Sequence, residues 1–162
     1  MLYDTPILTK IETEMAERIA ALRQADGYFL DWGTVNEPDV AKQSFPSAEI
    51  MLDYEACIDD TDTAWSDGYN QEAHYIIRVR GALANEENTP YYEINKVLNM
   101  AVEDLKRLFG INYTVSDSCE TIYYQGAQRV SDRSNDIFRP AYVETQWLVK
   151  YTQTRKDPSR YI

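Results

Sequence analysis

The residues with the clearest chemical potential lie in the segment DDTDTAWSDGYN at 59–70, which holds four aspartates and no cation. Carboxylates at such spacing can bind Ca²⁺, but an EF-hand loop needs oxygen ligands at alternating positions, glycine sixth and glutamate twelfth. Starting at Asp60 places Ala64 fifth and Trp65 sixth, and starting at Asp59 fits no better. The segment therefore favours a solvated, negatively charged loop, and we predict neither a metal site nor a cofactor.

Catalytic motifs are also missing from the sequence. His74 is the only histidine, and it lies in a predicted strand between apolar neighbours, which favours a structural or surface role. Cys57 and Cys119 form no CxxC pair or disulfide framework, and reduced, buried thiols are expected. No G-x-S-x-G elbow, phosphate-binding glycine loop or H-E-x-x-H motif occurs. We therefore predict no catalytic residues and a protein that is not an enzyme.

The net charge of −11 is concentrated in one part of the chain. Residues 31–72 hold eleven acidic residues against Lys42 alone, which gives a net charge of −10. Such a region repels DNA and anionic membranes, although DNA can slide past it without adhering. The N-terminus lacks signal-peptide character, and no apolar run reaches the roughly 20 residues of a membrane span. We expect a soluble protein, made in a cytoplasm, with no membrane partner.

Basic residues occur in two groups that suit contact with an acidic partner. Arg78 and Arg80 fall on the same face of a predicted strand, and Arg155, Lys156 and Arg160 cluster at the C-terminus. Both groups can contact phosphate, or equally an acidic neighbouring subunit. Because the chain supplies its own acidic region, head-to-tail association between copies is electrostatically favourable.

Two helices are predicted from apolar residues that recur at helical spacing. The first covers 5–26, with Thr5 as N-cap before Pro6 and Gly27 as the stop. The second covers 90–109 and is expected to end at Gly110. The apolar stripes are Ile7, Ile11, Met15, Ile19 and Leu22 in the first helix, and Ile94, Val97, Leu98, Ala101, Leu105 and Leu108 in the second.

Five strands are predicted from alternating apolar and polar residues. They cover 28–35, 47–58, 72–83, 119–125 and 141–152. In the second of them, one face carries Ala48, Ile50, Leu52 and Tyr54, and the other carries Glu49, Met51, Asp53 and Glu55. Buried faces are also predicted for Tyr75, Ile77 and Val79, and for Val143, Trp147, Val149 and Tyr151.

The element order is therefore α-β-β-β-α-β-β in a single α+β domain over 1–162. We predict an antiparallel sheet with both helices on one face. An acidic hairpin loop projects at 59–71, and a basic, irregular tail follows at 153–162.

This order resembles that of the tail terminator (tail completion) proteins of long-tailed bacteriophages. The similar segments are the opening helix PILTKIETEMAERIAALRQADG, the strand SAEIMLDYEAC after Phe45-Pro46, and the helix YYEINKVLNMAVEDLKRLFG. The closing pattern also fits, with Asp136-Ile137-Phe138-Arg139-Pro140, then VETQWLVKY, then Asp157-Pro158. The likeness spans nearly the whole chain and concerns the order and the residue patterns of its elements.

The resemblance implies a hexameric ring that caps the tail tube, joins it to the head connector and surrounds a channel for DNA. The partners would be further copies of the chain, the tail-tube protein, a head-connector or neck protein, and DNA passing without sequence recognition. The acidic loop, with Asp59, Asp60, Asp62, Trp65 and Asp67, would either line the channel or dock on a neighbour. Two other interpretations stay open, namely another neck or tail component and a small ligand-binding domain or enzyme.

Overall fold

The structure is a computed structural model that describes residues 5–58, 68–81, 91–111, 121–131 and 141–154. Its helices and strands are α1 (Ile7–Ala20), β1 (Ser47–Cys57), β2 (Gly68–Arg80), α2 (Tyr91–Ile111), β3 (Thr121–Ser131) and β4 (Ala141–Thr154). The predicted α+β class is confirmed, and the described elements follow the order α-β-β-α-β-β.

The four strands form one antiparallel sheet in the order β1-β2-β4-β3. The last strand of the chain therefore lies between β2 and β3, and it pairs with β2 along the whole length of β2. Buried residues alternate along both central strands, as predicted: Tyr75, Ile77 and Val79 in β2, and Val143, Trp147, Val149 and Tyr151 in β4. Both helices pack on this buried side of the sheet, where their apolar residues complete a single core.

The predicted strand at 28–35 is wrong. This segment forms only one bridge to the sheet, between Val35 and Ala48. Its backbone groups bind elsewhere, because Asp104 of α2 accepts hydrogen bonds from the Phe29 and Leu30 amides at 2.8 and 3.1 Å. The indole Nε1 of Trp32 donates to the same carboxylate at 3.2 Å. An alternating sequence is therefore held as an irregular segment by a carboxylate that is more than 70 residues away.

The helix ends differ from the predictions at three places. The N-cap of α1 is Pro6 rather than Thr5, and no side chain caps it. Helix α1 ends at Ala20, whose carbonyl accepts no hydrogen bond from a following turn of helix. The Arg23 Nη1 donates to this carbonyl at 2.7 Å instead. Gly27 is left-handed, with φ 86°, but it closes a short 3-10 helix at Gln24–Asp26 instead of α1.

A bulge in β1 reverses part of the predicted face assignment. The pairing with β2 shifts between Leu52 and Tyr54, so the strand gains one residue there. Tyr54 consequently pairs with His74 on the side away from the helices, while Glu55 pairs with Ala73 on the buried side. A one-residue shift moves every later side chain to the opposite face. Cys57, predicted to be buried, is exposed.

Asp104 is fully buried and accepts three hydrogen bonds, so its removal should destabilise the fold. We expect Asp104→Ala to lower the free energy of unfolding by about 3 kcal/mol or more, since each buried donor left unsatisfied costs about 1–3 kcal/mol. Urea unfolding measures this change. The control is Glu103→Ala, whose exposed side chain pairs only with Lys106 among the described contacts and should contribute under about 1 kcal/mol. Equal losses for the two variants would contradict the structural role of Asp104.

Gly33 is required by close packing against the backbone. A Cβ at this position would lie 2.1 Å from the Ser44 carbonyl oxygen, so Gly33→Ala must displace the chain. We expect it to lower the free energy of unfolding by about 1–3 kcal/mol, as overpacking does. Gly110, where α2 was expected to stop, lies inside the helix and has open space around it. Gly110→Ala should raise stability by up to about 1 kcal/mol in the same urea experiment, and a loss at Gly110 would count against this assignment.

Candidate functional site

The side of the sheet opposite the helices carries the arrangement best suited to function, and we call it the open face. Residues paired across antiparallel strands point to the same side, so each neighbour of a buried residue points the other way. No helix among the described residues covers this side, and His74 and Arg78 of β2 are only half-buried there. The open face is therefore a surface that another molecule can reach.

The centre of the open face is apolar and aromatic. The rings of Tyr54 and His74 stack with centroids 4.0 Å apart and an interplanar angle of 13°. Leu148 pairs with His74 from the other side, and Tyr123 pairs with Leu148, so the row crosses all four strands. Tyr54 is 52% exposed and Tyr123 is 45% exposed. Exposed aromatic rings of this kind are typical of surfaces that are buried on assembly.

A charged row crosses one end of the open face, and we call it the Arg78 row. Arg78 donates from Nε and Nη2 to Glu144 Oε1 at 3.0 and 2.8 Å, and its Nη1 lies 3.6 Å from Glu49 Oε2. Its guanidinium also lies over the Tyr142 ring at 4.9 Å. The hydrogen bond to Glu144 raises the pKa of Arg78, so this cation stays charged. The row holds a net charge of −1.

A second charged row, the Lys150 row, crosses the other end. Lys150 Nζ lies 3.6 Å from Glu72 Oε1, and the second Glu72 oxygen lies 3.7 Å from His74 Nε2. Lys150 also lies over the Tyr123 ring at 5.7 Å. His74 is therefore held between a ring and a carboxylate, which agrees with the predicted structural or surface role.

The strand-paired residues of the open face carry balanced charge although the protein is strongly acidic. Its cations are Arg78, Arg80 and Lys150, and its carboxylates are Glu49, Glu72 and Glu144. Three positive and three negative charges sum to zero, against −11 for the whole chain. The excess negative charge consequently lies elsewhere, and a protein partner meets least repulsion here.

A cleft of about 390 Å³ opens beside the Arg78 row, between the segment 34–43 and strands β1 and β2. Arg78 and Arg80 line it, but Glu37 and Glu49 do so as well. Gln43 also contributes, and its Oε1 is buried without a hydrogen-bond partner. The balanced charge of these walls gives the cleft no clear preference for an anion or a cation.

The core side of the sheet holds a network of hydroxyl and carboxylate groups that the sequence did not reveal. The Tyr75 hydroxyl donates to Glu12 of α1 at 3.3 Å. The Tyr151 hydroxyl donates to Glu55, which the bulge has moved to this side of the sheet, and lies 3.2 Å from the Gln71 side-chain oxygen. Burial, and then the charge of Glu12, raise the pKa of Tyr75 well above its ordinary value. The first contact ties β2 to α1, and the others tie β4 to β1 and β2.

The predicted site residues divide between described and undescribed parts of the chain. Arg78 and Arg80 lie on the open face, as their alternation predicted. Two other groups lie outside the described residues: Asp59, Asp60, Asp62, Trp65 and Asp67 of the acidic loop, and Arg155, Lys156 and Arg160 of the tail. Within the part of the chain that the structure describes, no group of three His, Cys, Asp or Glu side chains could hold a metal ion.

Several residues of the open face were missed in the sequence. Glu144 and Lys150 alternate with buried residues of β4, which is a signal that they point outward. Their pairing with Arg78 and Glu72 depends on β4 lying beside β2, which no local pattern indicates. Tyr54 was missed because a bulge carries no distinct signal in SAEIMLDYEAC.

Comparison with known proteins adds no assignment to this surface. A scan of this chain against protein families finds no match, and no curated protein matches its sequence. Among the described helices, none combines the length and hydropathy required to span a membrane. The resemblance to tail terminators therefore rests on element order and on the segments named above.

The raised pKa of Tyr75 makes stability depend on alkaline pH. Folding favours the protonated phenol, so this contribution is complete below the unfolded pKa of about 10 and is lost as pH rises above it. We expect the unfolding free energy of the wild type to fall by about 1 kcal/mol more than that of Tyr75→Phe between pH 10 and 11. Urea unfolding at both pH values tests this. Tyr123→Phe, an exposed control, should follow the wild type, and parallel behaviour of all three proteins would contradict the assignment.

Proposed function

We propose that this chain is a structural virion protein, a phage tail terminator that forms a ring on the tail tube and joins it to the head connector. The protein is made in the host cytoplasm and acts at the head–tail junction, without catalysis. The observation that best supports an assembly role is the open face, where a neutral and partly aromatic surface is exposed on a strongly acidic protein.

The open face suits protein contact better than chemistry. Its titratable side chains bind one another, since Arg78 contacts two carboxylates and Lys150 contacts a third. Its centre offers exposed tyrosine rings, which are enriched where protein surfaces meet. Such a face favours association with a folded partner over activation of a small substrate.

The distribution of acidic residues fits a channel that DNA must pass without adhering. In the described part of the region 31–72, the acidic residues before β2 include Asp31, Glu37, Asp39 and Asp53. The four aspartates of segment 59–67 add further negative charge to this region. DNA is held by phosphate contacts with cations, so a wall of carboxylates weakens adhesion. Within the proposal, the acidic loop either lines the channel or docks on a neighbouring subunit.

The partners follow from the position of such a ring. The tail-tube protein lies below it and a head-connector or neck protein above it, with six copies of the chain around the DNA. The basic residues Arg155, Lys156 and Arg160 would contact the acidic region of the next subunit. The alternative within the same proposal is another neck or tail component with the same partners but no ring.

The ring is tested by electron microscopy of the purified protein over a concentration series, combined with its solution mass. We expect closed rings of about six copies with a central hole, since like contacts repeated head to tail close into rings. Substitution of Asp59, Asp60, Asp62 and Asp67 by Asn should leave the rings intact if these residues line the channel. Masses that stay below six copies, with no rings at any concentration, would favour the neck-component alternative.

A further inference from the structure

The charges of the open face are arranged so that the face is complementary to itself. Tyr75 and Trp147 are direct partners across β2 and β4, and both point to the core, so they mark a midline across the sheet. Three residues to either side of Tyr75 lie Arg78 and Glu72. Three residues to either side of Trp147, in the same directions, lie a carboxylate and a cation.

Along β4 the signs are reversed. Glu144 pairs with Arg78 on one side of the midline, and Lys150 pairs with Glu72 on the other. A half-turn about the midline exchanges the two sides of the face and keeps each strand in its own position. It therefore sets Arg78 of one copy against Glu72 of a second copy, and Glu144 against Lys150.

The apolar centre is matched by the same operation. The half-turn sets Ile76 over His74 of the second copy, because these residues flank Tyr75. It likewise sets Met51 near the exposed ring of Tyr54, and both lie on the edge strand β1. Aromatic and aliphatic side chains thus meet at the centre, while four ion pairs form around them.

We propose that two copies of this chain associate through their open faces, related by a two-fold axis along the Tyr75–Trp147 midline. The donors needed for the contact are present. Arg78 carries five N–H groups and Lys150 three, which exceeds the hydrogen bonds that each makes within its own chain among the described contacts.

The dimensions of the sheet permit this contact. Arg78 and Glu72 lie about 20 Å apart along β2, at about 3.4 Å per residue. Facing sheets cross at about 30° because each is twisted, which displaces groups 10 Å from the axis by about 5 Å. Arginine, lysine and glutamate side chains span such a displacement. Four strands of about ten residues give roughly 650 Å² of flat area per copy, slightly below the roughly 800 Å² of a standard interface, so the dimer should depend on concentration.

The overall charge also selects this face. Two copies of net charge −11 repel one another through most approaches. The open face is neutral as a whole, and its charged groups alternate in sign across the contact. A second copy therefore meets less repulsion here than at the exposed carboxylates of Asp31, Asp39 and Glu55, which lie outside the open face.

Paired charge exchanges test the proposal while keeping the ion pairs within each chain. One variant carries Arg78→Glu with Glu144→Arg, and the other carries Glu72→Lys with Lys150→Glu. In either variant alone, like charges face one another across the two-fold axis. In an equimolar mixture, opposite charges face one another again. Solution mass, from light scattering or sedimentation over a concentration series, is the measurement.

We expect the wild type to pass from one copy to two as its concentration rises. Each variant should stay at one copy at concentrations where the wild type is paired, and their mixture should recover two copies. A wild type that remains a single copy, a variant that pairs alone as the wild type does, or a mixture of folded variants that stays unpaired would overturn the proposal. Circular dichroism establishes the folding of each variant.

A single substitution tests the same contact if a charge-exchange variant does not fold. Gln146 is exposed near the midline, so Gln146→Lys places a cation against Leu148 of the second copy and should abolish pairing. Thr13→Lys, on the exposed side of α1, makes the same addition of charge away from the open face and should pair normally. Pairing by Gln146→Lys at the wild-type concentration would overturn the proposal.

This dimer does not depend on the terminator function. A two-fold contact closes at two copies, whereas a ring needs a head-to-tail contact between different surfaces. Masses that step directly from one copy to six would support the ring and overturn the dimer. Masses of two that respond to the charge exchanges, with no rings, would do the reverse.

Discussion

The ladder between β2 and β4 is the constraint on which the rest of the structure depends. It joins Gly68–Arg80 to the closing strand without a shift in register, so it fixes which side chain of each central strand faces the helices. Tyr75 beside Trp147 places both rings in the core, and Arg78 beside Glu144 places both charges outside. A slip of one residue would exchange these sets and bury the charges, at a cost that no compensating contact offsets.

Two departures from regular structure adapt the remaining elements to this ladder. The bulge after Leu52 lets β1 present Tyr54 to His74 while Glu55 reaches Tyr151 on the other side. Asp104 holds the segment after α1 against α2 by satisfying backbone amides that would otherwise need a strand partner. Both features give a carboxylate hydrogen-bonded partners on the helix side of the sheet. Asp104 is fully buried and accepts three hydrogen bonds, as a buried polar group requires, whereas Glu55 stays exposed at the edge strand.

Local patterns predicted most of the fold, because burial on one side of a helix or strand leaves a periodic signal. Ile7, Ile11, Met15 and Ile19 are buried as predicted, and so is the alternation from Val143 to Tyr151. Long-range choices leave no such signal. YFLDWGTV alternates like a strand, but its backbone groups bind the distant Asp104 and neighbouring loop residues instead of a strand. The open face was predicted only in part. Arg78 and Arg80 were identified, but the identity of the residues beside them depends on the order of the strands in the sheet.

The ion pairs of the open face contribute little to the stability of the chain itself, so stabilising the fold is not their main effect. Pairs as exposed as Lys150 with Glu72 are typically worth under about 1 kcal/mol, since water and salt screen them. Tertiary stability is supplied by the core behind them, where Trp147 and Tyr75 are almost fully buried. Charges that hardly stabilise the fold can still determine which surfaces meet, because a mismatched contact leaves like charges opposed as it is desolvated. The order of signs along β2 and β4 therefore matters more for the proposed contact between copies than for the stability of the single chain.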